Sequence, residues 1–131
     1  MGPRVFVVED DQQVVELYKE ILRIYGYEFS GFALDGRDAI KTFEAMNPRP
    51  DIVIMDQRLP LMSGIEVTKE MMRIDPSAKV FFVSADINSR EGALSSGAAD
   101  FIRKPFQLKD FMTRLGVLSG HSCPPMVNVR G

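Results

Sequence analysis

Ile52-Val53-Ile54-Met55, closed by Asp56, is the stretch that decides the fold. Every residue of the run is apolar, and most are β-branched. A strand with one wet face would alternate apolar and polar side chains. An unbroken run is apolar on both faces and must be buried on both, which points to a parallel sheet covered by helices. The same pattern recurs at Val5-Phe6-Val7-Val8 and at Val80-Phe81-Phe82-Val83. Weaker strands fit residues 28–33 and 100–103.

Helical periodicity fills the intervals. Val14, Leu17, Tyr18, Ile21 and Ile24 fall on one predicted face, with Gly26 as the stop. Ala39, Ile40, Phe43 and Met46 mark a second helix, opened by Asp35 as N-cap and closed by Asn47-Pro48. Ser63-Gly64-Ile65-Glu66 has capping-box spacing and starts a third, which runs through Val67, Met71 and Ile74 to Asp75-Pro76. Residues 87–96 make a poor fourth helix, because Asn88, Gly92, Ser95 and Ser96 are weak helix formers. Leu108, Phe111, Met112, Leu115 and Leu118 mark the fifth. Strict alternation predicts an α/β fold, a doubly wound five-stranded parallel sheet. Residues 4–118 carry the pattern as one domain. Residues 119–131, with Cys123 in a Pro-rich setting, read as a flexible tail.

Composition narrows the class. Apolar residues make up 45% of 131, enough for a core, and the net charge is −2. Neither nucleic acid nor a membrane surface is implied as a partner. No apolar run approaches the ~18 residues of a membrane span. The chain enters a strand at once, so no signal peptide is expected. One cysteine makes neither a disulfide framework nor a zinc spacing, which favours a reducing compartment such as the cytoplasm.

Sheets of this kind bind ligands beyond the carboxyl ends of their strands. The first strand delivers Glu9-Asp10-Asp11 there, the third Asp56, the fourth Ser84-Ala85 and the fifth Lys104-Pro105. Carboxylates crowded together repel, and a hard divalent cation such as Mg2+ removes the conflict while keeping positions for phosphate oxygens. Lys104 suits a phosphoryl oxygen, Ser84 can donate a hydrogen bond to another, and Asp56 can act as nucleophile. Phosphoryl transfer needs little more from a protein. Asp11 reads as the N-cap of the first helix rather than a metal ligand. Arg58 and Asp86 flank the mouth and, singly or as a pair, would limit the water that hydrolyses an acyl phosphate. His121 lies far from the acids in sequence and is not expected to carry phosphate.

These stretches resemble the response-regulator receiver family of two-component signalling, from Arg4 to about Leu118. The matching motifs are Val5 to Asp11, Ile52 to Gly64, Val83-Ser84-Ala85 and Gly97 to Phe106. The resemblance implies a flavodoxin-like (βα)5 fold with strand order 2-1-3-4-5. It implies Asp56 as phospho-acceptor, with Ser84 and Lys104 as its catalytic partners. Mg2+ would be held by Asp10, Asp56 and the backbone carbonyl of Arg58, and by Glu9 through water; Glu9 stands where the family often has Asp. Ala85 would leave the phosphate accessible, and Lys104-Pro105 would be cis. Phe101 matches the family's switch aromatic, which with Ser84 would turn inward on phosphorylation. Phosphate would come from a histidine kinase or phosphotransfer protein. A downstream effector protein would read the fourth helix, fifth strand and fifth helix.

Other classes were weighed on the same residues. An aspartyl-nucleophile phosphatase would need a second Asp as general acid, and Asp56 is followed by Gln57-Arg58-Leu59-Pro60. A flavin carrier would need a hydroxyl- and Gly-rich loop where Glu9-Asp10-Asp11 stands. A degenerate receiver would lack part of the acid, Ser and Lys set. Any enzymatic side would be limited to autocatalytic phosphorylation and dephosphorylation. A stand-alone regulator, a receiver excised from a larger regulator and a hybrid-kinase receiver all stay open, as do the kinase, the pathway and the oligomeric state.

Overall fold

A computed structural model describes residues 2–121. The chain runs β1 (Arg4–Val8), α1 (Gln12–Ile24), β2 (Glu28–Ala33), α2 (Gly36–Ala45), β3 (Ile52–Asp56), α3 (Gly64–Ile74), β4 (Val80–Ser84), α4 (Ser89–Ser95), β5 (Asp100–Arg103) and α5 (Leu108–Ser119). All pairings are parallel, in the order β2-β1-β3-β4-β5. The doubly wound architecture expected from the alternation is the one observed. Every residue of β3 and β4 is buried, as their unbroken apolar runs require.

Strand alternation divides the core into two layers. Val5, Val7, Ile52, Ile54, Phe81 and Val83 pack against α1 and α5. Phe6, Val8, Val53, Met55 and Phe82 pack against α2, α3 and α4. Phe111 of α5 anchors the first layer. Its ring stacks on Phe81 at 5.1 Å and on Phe106 at 4.9 Å, and meets Tyr18 at 5.7 Å.

Local signals act where expected. The Asp11 and Asp35 side chains cap α1 and α2, accepting from Gln13 and Asp38 amides. Ser63 and Glu66 complete a capping box on α3. The fourth helix is shorter than predicted. It covers only Ser89–Ser95, and Asn88 makes no side-chain cap bond.

Two expectations need correction, and one strand carries a feature the sequence did not signal. The face of α1 is rotated: Val15, Tyr18 and Leu22 are buried, whereas Leu17 and Ile24 are exposed. Apolar residues sit on both possible faces of this helix, so periodicity alone did not choose between them. The edge strand β2 has the expected bounds but is only half covered, and its register slips opposite Val5 and Phe6, where Gly31 has φ +137°. Ser119, read with the tail, instead closes α5, and His121 is anchored by its backbone and ring. Cys123 and the rest of that segment lie outside the described residues. Both Asn47-Pro48 and Lys104-Pro105 are cis, the second as the resemblance implied and the first without a sequence signal.

Phe111→Ala should lower stability by about 3–5 kcal/mol, since it empties the junction of three aromatic rings in a close-packed layer. Urea denaturation would measure it. A loss below ~1 kcal/mol would show that the layer collapses to fill the space.

Candidate functional site

β1 and β3 are hydrogen-bonded neighbours in the middle of the sheet, with Val8 opposite Met55. Their carboxyl ends therefore place Glu9 and Asp10 beside Asp56. One carboxylate oxygen from each of these three residues lies within 4.8 Å of the others. Glu9 and Asp56 are buried, at 5% and 7% exposure, while Asp10 faces solvent. From β5, two strands away, Lys104 brings its Nζ to 2.8 Å from Asp56 Oδ1.

Asp56 is held by its surroundings. Its Oδ2 accepts the Arg58 amide at 3.2 Å. Gly64, the first residue of α3, presses on the end of β3: a Cβ there would lie well inside contact distance of the Asp56 carbonyl oxygen. The Gly64 amide donates to the Gln57 carbonyl at 3.0 Å, and Gln57 Oε1 accepts the Ile65 amide at 3.1 Å. Helix α3 is thus clamped to the acid it follows. Gln57 and Gly64 were not singled out as site residues in the sequence; only the capping box beside them was legible. Leu61, in the same loop, has φ +74° and is 68% exposed, which sequence patterning gave no reason to expect.

The charges are not balanced. Glu9 is pushed up to about 7, first by burial and then by the nearby Asp56, with the Asp11 amide and Lys104 pulling the other way. The Asp11 amide donates to Glu9 Oε2 at 3.1 Å. Tyr18, beneath the cluster, has its phenol pushed up by burial and then by Glu9 and Asp56. An excess of negative charge facing one ammonium matches the requirement of a hard cation with oxygen ligands. These residues fit such an ion.

Ser84 ends β4 next to Val83, the residue opposite Asp56. It is 4% exposed, and its Oγ accepts the Asp86 amide at 3.0 Å. Its carbonyl accepts the Lys104 amide at 2.8 Å, so the hydroxyl and the lysine are tied to adjoining backbone. Arg58 and Asp86 do not form the pair expected of them. Among the described ion pairs neither appears, and the Asp86 carboxylate instead accepts the Asn88 amide at 2.9 Å, closing its own turn. Phe101 also departs from expectation. It is already inward, 5% exposed and stacked on Phe82 at 6.0 Å. A ring without a hydroxyl loses apolar burial by swinging out, and this one is part of the second core layer.

Comparison with known proteins agrees with this geometry. A family model described as the response regulator receiver domain matches residues 5–116. The chain is 42% identical to the Chemotaxis protein CheY of Thermotoga maritima over 82% of its own length and 89% of that protein. It superimposes with a TM-score of 0.80 on the response regulator protein TrrA of Thermotoga maritima, solved in complex with Mg2+-BeF, at 31% identity, covering 90% of this chain and 99% of that one. It matches equally, at 0.80 and 27% identity, the receiver domain of a sensor histidine kinase from Pseudomonas aeruginosa PAO1, which holds a magnesium ion in its active-site cleft; the match covers 92% and 99% of the two chains.

The raised Glu9 sets a pH dependence in metal-free protein. Below the ordinary value of 4.5 the group is protonated folded or unfolded, and its contribution to stability is complete. As pH rises toward about 7, the unfolded chain sheds the proton more readily than the folded one, so stability falls. Urea midpoints measured in chelator across that range should decline, and Glu9→Gln should flatten the decline. A Glu9→Gln profile with the wild-type slope would assign the dependence to another group.

Proposed function

This chain belongs to the response regulator receiver domain family, and from that membership we propose that it accepts a phosphoryl group on Asp56 and thereby changes a partner-binding surface. The observation that carries the reading is the meeting of Lys104 with Asp56 at 2.8 Å beside two further carboxylates. Asp56 is buried, fixed at its backbone by Gly64, and keeps an oxygen directed at an ammonium. That is a nucleophile positioned in a charged, largely dry setting.

Residues 4–118 form the receiver in this reading. Asp10, Asp56 and the backbone carbonyl of Arg58 would hold Mg2+, with Glu9 assisting through water. The ion supplies charge neutralisation for the incoming phosphoryl oxygens. An Asp56 carboxylate oxygen bonds to phosphorus as the donor's phosphorus–nitrogen or phosphorus–oxygen bond breaks, giving an acyl phosphate. Lys104 leaves its ion pair to meet one phosphoryl oxygen. Ser84 donates its hydroxyl proton to another, for which it turns from its present contacts with Asp86. The donor is a histidine kinase or phosphotransfer protein, and small acyl phosphates suffice in vitro.

The switch follows from these movements. Drawing Ser84 toward the phosphoryl group pulls on the turn at Asp86, which holds Ser89 Oγ at 2.6 Å and so the start of α4. The short, weakly capped α4 is the element with least to resist displacement. Because Phe101 is already packed inward, its part is to hold the inward state once α4 has shifted rather than to travel. An effector protein reads α4, β5 and α5. No helix among the described residues is long and apolar enough to cross a membrane. The family membership and the single cysteine support work in the cytoplasm.

Acetyl phosphate with Mg2+ should add one phosphoryl group, read by intact mass. Chelation or Asp56→Asn should abolish it, and Lys104→Ala should slow it by about 10²-fold. An adduct at wild-type level in Asp56→Asn would overturn the assignment. Since Arg58 and Asp86 are unpaired, Arg58→Ala and Asp86→Ala should speed decay of the adduct independently, with effects that multiply in the double variant. Decay at the wild-type rate in both would remove any role in excluding water.

A further inference from the structure

Between Asp56 and α3 the chain reverses at a residue ill suited to the task. The Met62 amide donates to the Pro60 carbonyl at 2.8 Å, which closes a tight turn with Leu61 at its centre. Leu61 has φ +74° and is 68% exposed. A γ-turn of this hand is rare and strained, and a bulky side chain makes it more so. Leucine here bears the strain and also leaves an apolar side chain in water. Neither local propensity nor burial accounts for the turn.

The neighbours of Leu61 do account for it. Leu59 and Met62 both pack against the second core layer. Pro60, between them, turns its carbonyl to the start of α2, where the Gly36 amide donates to it at 3.2 Å. One carbonyl thus accepts two amides. Nearer the site, the Arg58 amide is tied to Asp56 Oδ2, and the Gly64 amide closes on the Gln57 carbonyl. The loop is pinned at both ends and in the middle, and the chain meets these constraints by reversing at Leu61.

Helix α2 closes on the loop from the other side. A Cβ on Gly36 would lie 2.6 Å from Met62 Cβ and 2.9 Å from Val67 Cγ2. Met62 Cβ is the root of a side chain, not its flexible tip, so such a contact yields only if the loop or the helix moves. Gly36 and Leu61 are therefore two halves of one latch, the first by lacking a side chain and the second by its backbone. Asp10, Arg58 and Leu61 line a single groove, so the latched loop is a wall of the acid site.

We propose that this latch sets the affinity of the site for Mg2+: the left-handed turn at Leu61 and the bare Gly36 fix where the Arg58 carbonyl lies relative to Asp10 and Asp56. Both are positioning residues, and neither touches the ion or the phosphoryl group. The inference rests on the reading of the Arg58 carbonyl as a metal ligand. Its distinctive consequence is that the backbone of Leu61 matters and the side chain does not. Removing the side chain altogether is then harmless, whereas a change that forbids the turn is not.

Mg2+ binding to the full chain, followed by amide NMR shifts at Asp10 and Asp56, tests this beside urea midpoints taken in chelator. Leu61→Gly should keep the wild-type Mg2+ affinity and raise the urea midpoint, since glycine takes the turn without strain. Leu61→Pro, with φ held at about −65°, cannot make the turn and should raise the Mg2+ dissociation constant about tenfold or more. Gly36→Ala, acting from another helix, should weaken Mg2+ binding in the same direction. A folded Leu61→Pro chain with wild-type affinity would overturn the latch, as would affinity lost in Leu61→Gly. If Leu61→Pro does not fold, Gly36→Ala decides, and unchanged affinity there overturns the proposal. In the wild-type chain, an Arg58 carbonyl carbon shift that ignores bound Mg2+ would overturn the ligand assignment beneath the latch, and the latch with it.

Discussion

Three carboxylate groups, from Glu9, Asp10 and Asp56, face one another within 4.8 Å, and the one ammonium in direct contact reaches only Asp56. The rest of the upper edge of the sheet exists to hold that imbalance in place. A parallel sheet buried on both faces supplies a rigid base, because side chains of β3 and β4 are locked by core on either side. Placing β1 next to β3 puts the acids side by side. Crossing β4 to β5 brings Lys104 from beyond, and the backbone bond from Lys104 to Ser84 keeps the cation and the hydroxyl in step. Glu9 records the cost of the arrangement, since its carboxyl holds its proton to about 7. A site built this way is strained electrostatically when it is empty of positive charge and relieved when charge arrives. This is the condition for a response to a cation and to the phosphoryl group it accompanies.

Much of this was legible in the sequence, for identifiable reasons. β1, β3 and β4 could be read because burial on both faces leaves unbroken apolar runs. The acids, Ser84 and Lys104 could be assembled because parallel strands all end on one edge, so position after a strand is position in space. Caps at Asp11, Asp35 and Ser63 were legible because the signal and the bond are local. What failed was non-local or degenerate. The rotation of α1 could not be chosen while both candidate faces were apolar; contact with β1 and α5 decided it. The slip in β2 depends on its partner strand. Leu61 takes a left-handed backbone because the Met62 amide turns back to the Pro60 carbonyl at 2.8 Å across it, and a leucine gives no hint of that. The Asp86 carboxylate takes the Asn88 amide two residues on, a local partner that the sequence does not rank against a cation across the site.

The inward Phe101 changes how a switch in this chain should be pictured. In an account that relies on an aromatic swinging inward, the ring is the mover. Here the ring already belongs to the core, and in the proposed switch the segment that moves is the turn from Ser84 through Asp86 to Ser89. That turn is held by a few hydrogen bonds, among them Asp86 N to Ser84 Oγ at 3.0 Å and Ser89 Oγ to the Asp86 carbonyl at 2.6 Å. In that switch a phosphoryl oxygen on Asp56 accepts the Ser84 hydroxyl and competes with the contacts Ser84 now makes at Asp86. The energies are alike, about 1 kcal/mol for each neutral bond and somewhat more for one to a charged acceptor. A charged phosphoryl oxygen is therefore an adequate competitor, without stored backbone strain.

Helix α1 is the element that joins the two ends of this molecule. Its N-cap, Asp11, follows directly on the acid pair, and its buried Tyr18 feels the charge of Glu9 and Asp56. Its far end carries the Tyr25 carbonyl, to which His121 attaches the close of α5. Events at the acids and the path of the chain after α5 thus bear on the same rigid rod from opposite ends. Helices transmit position well because their backbone bonds are internal, so a shift at one end of a thirteen-residue helix appears at the other.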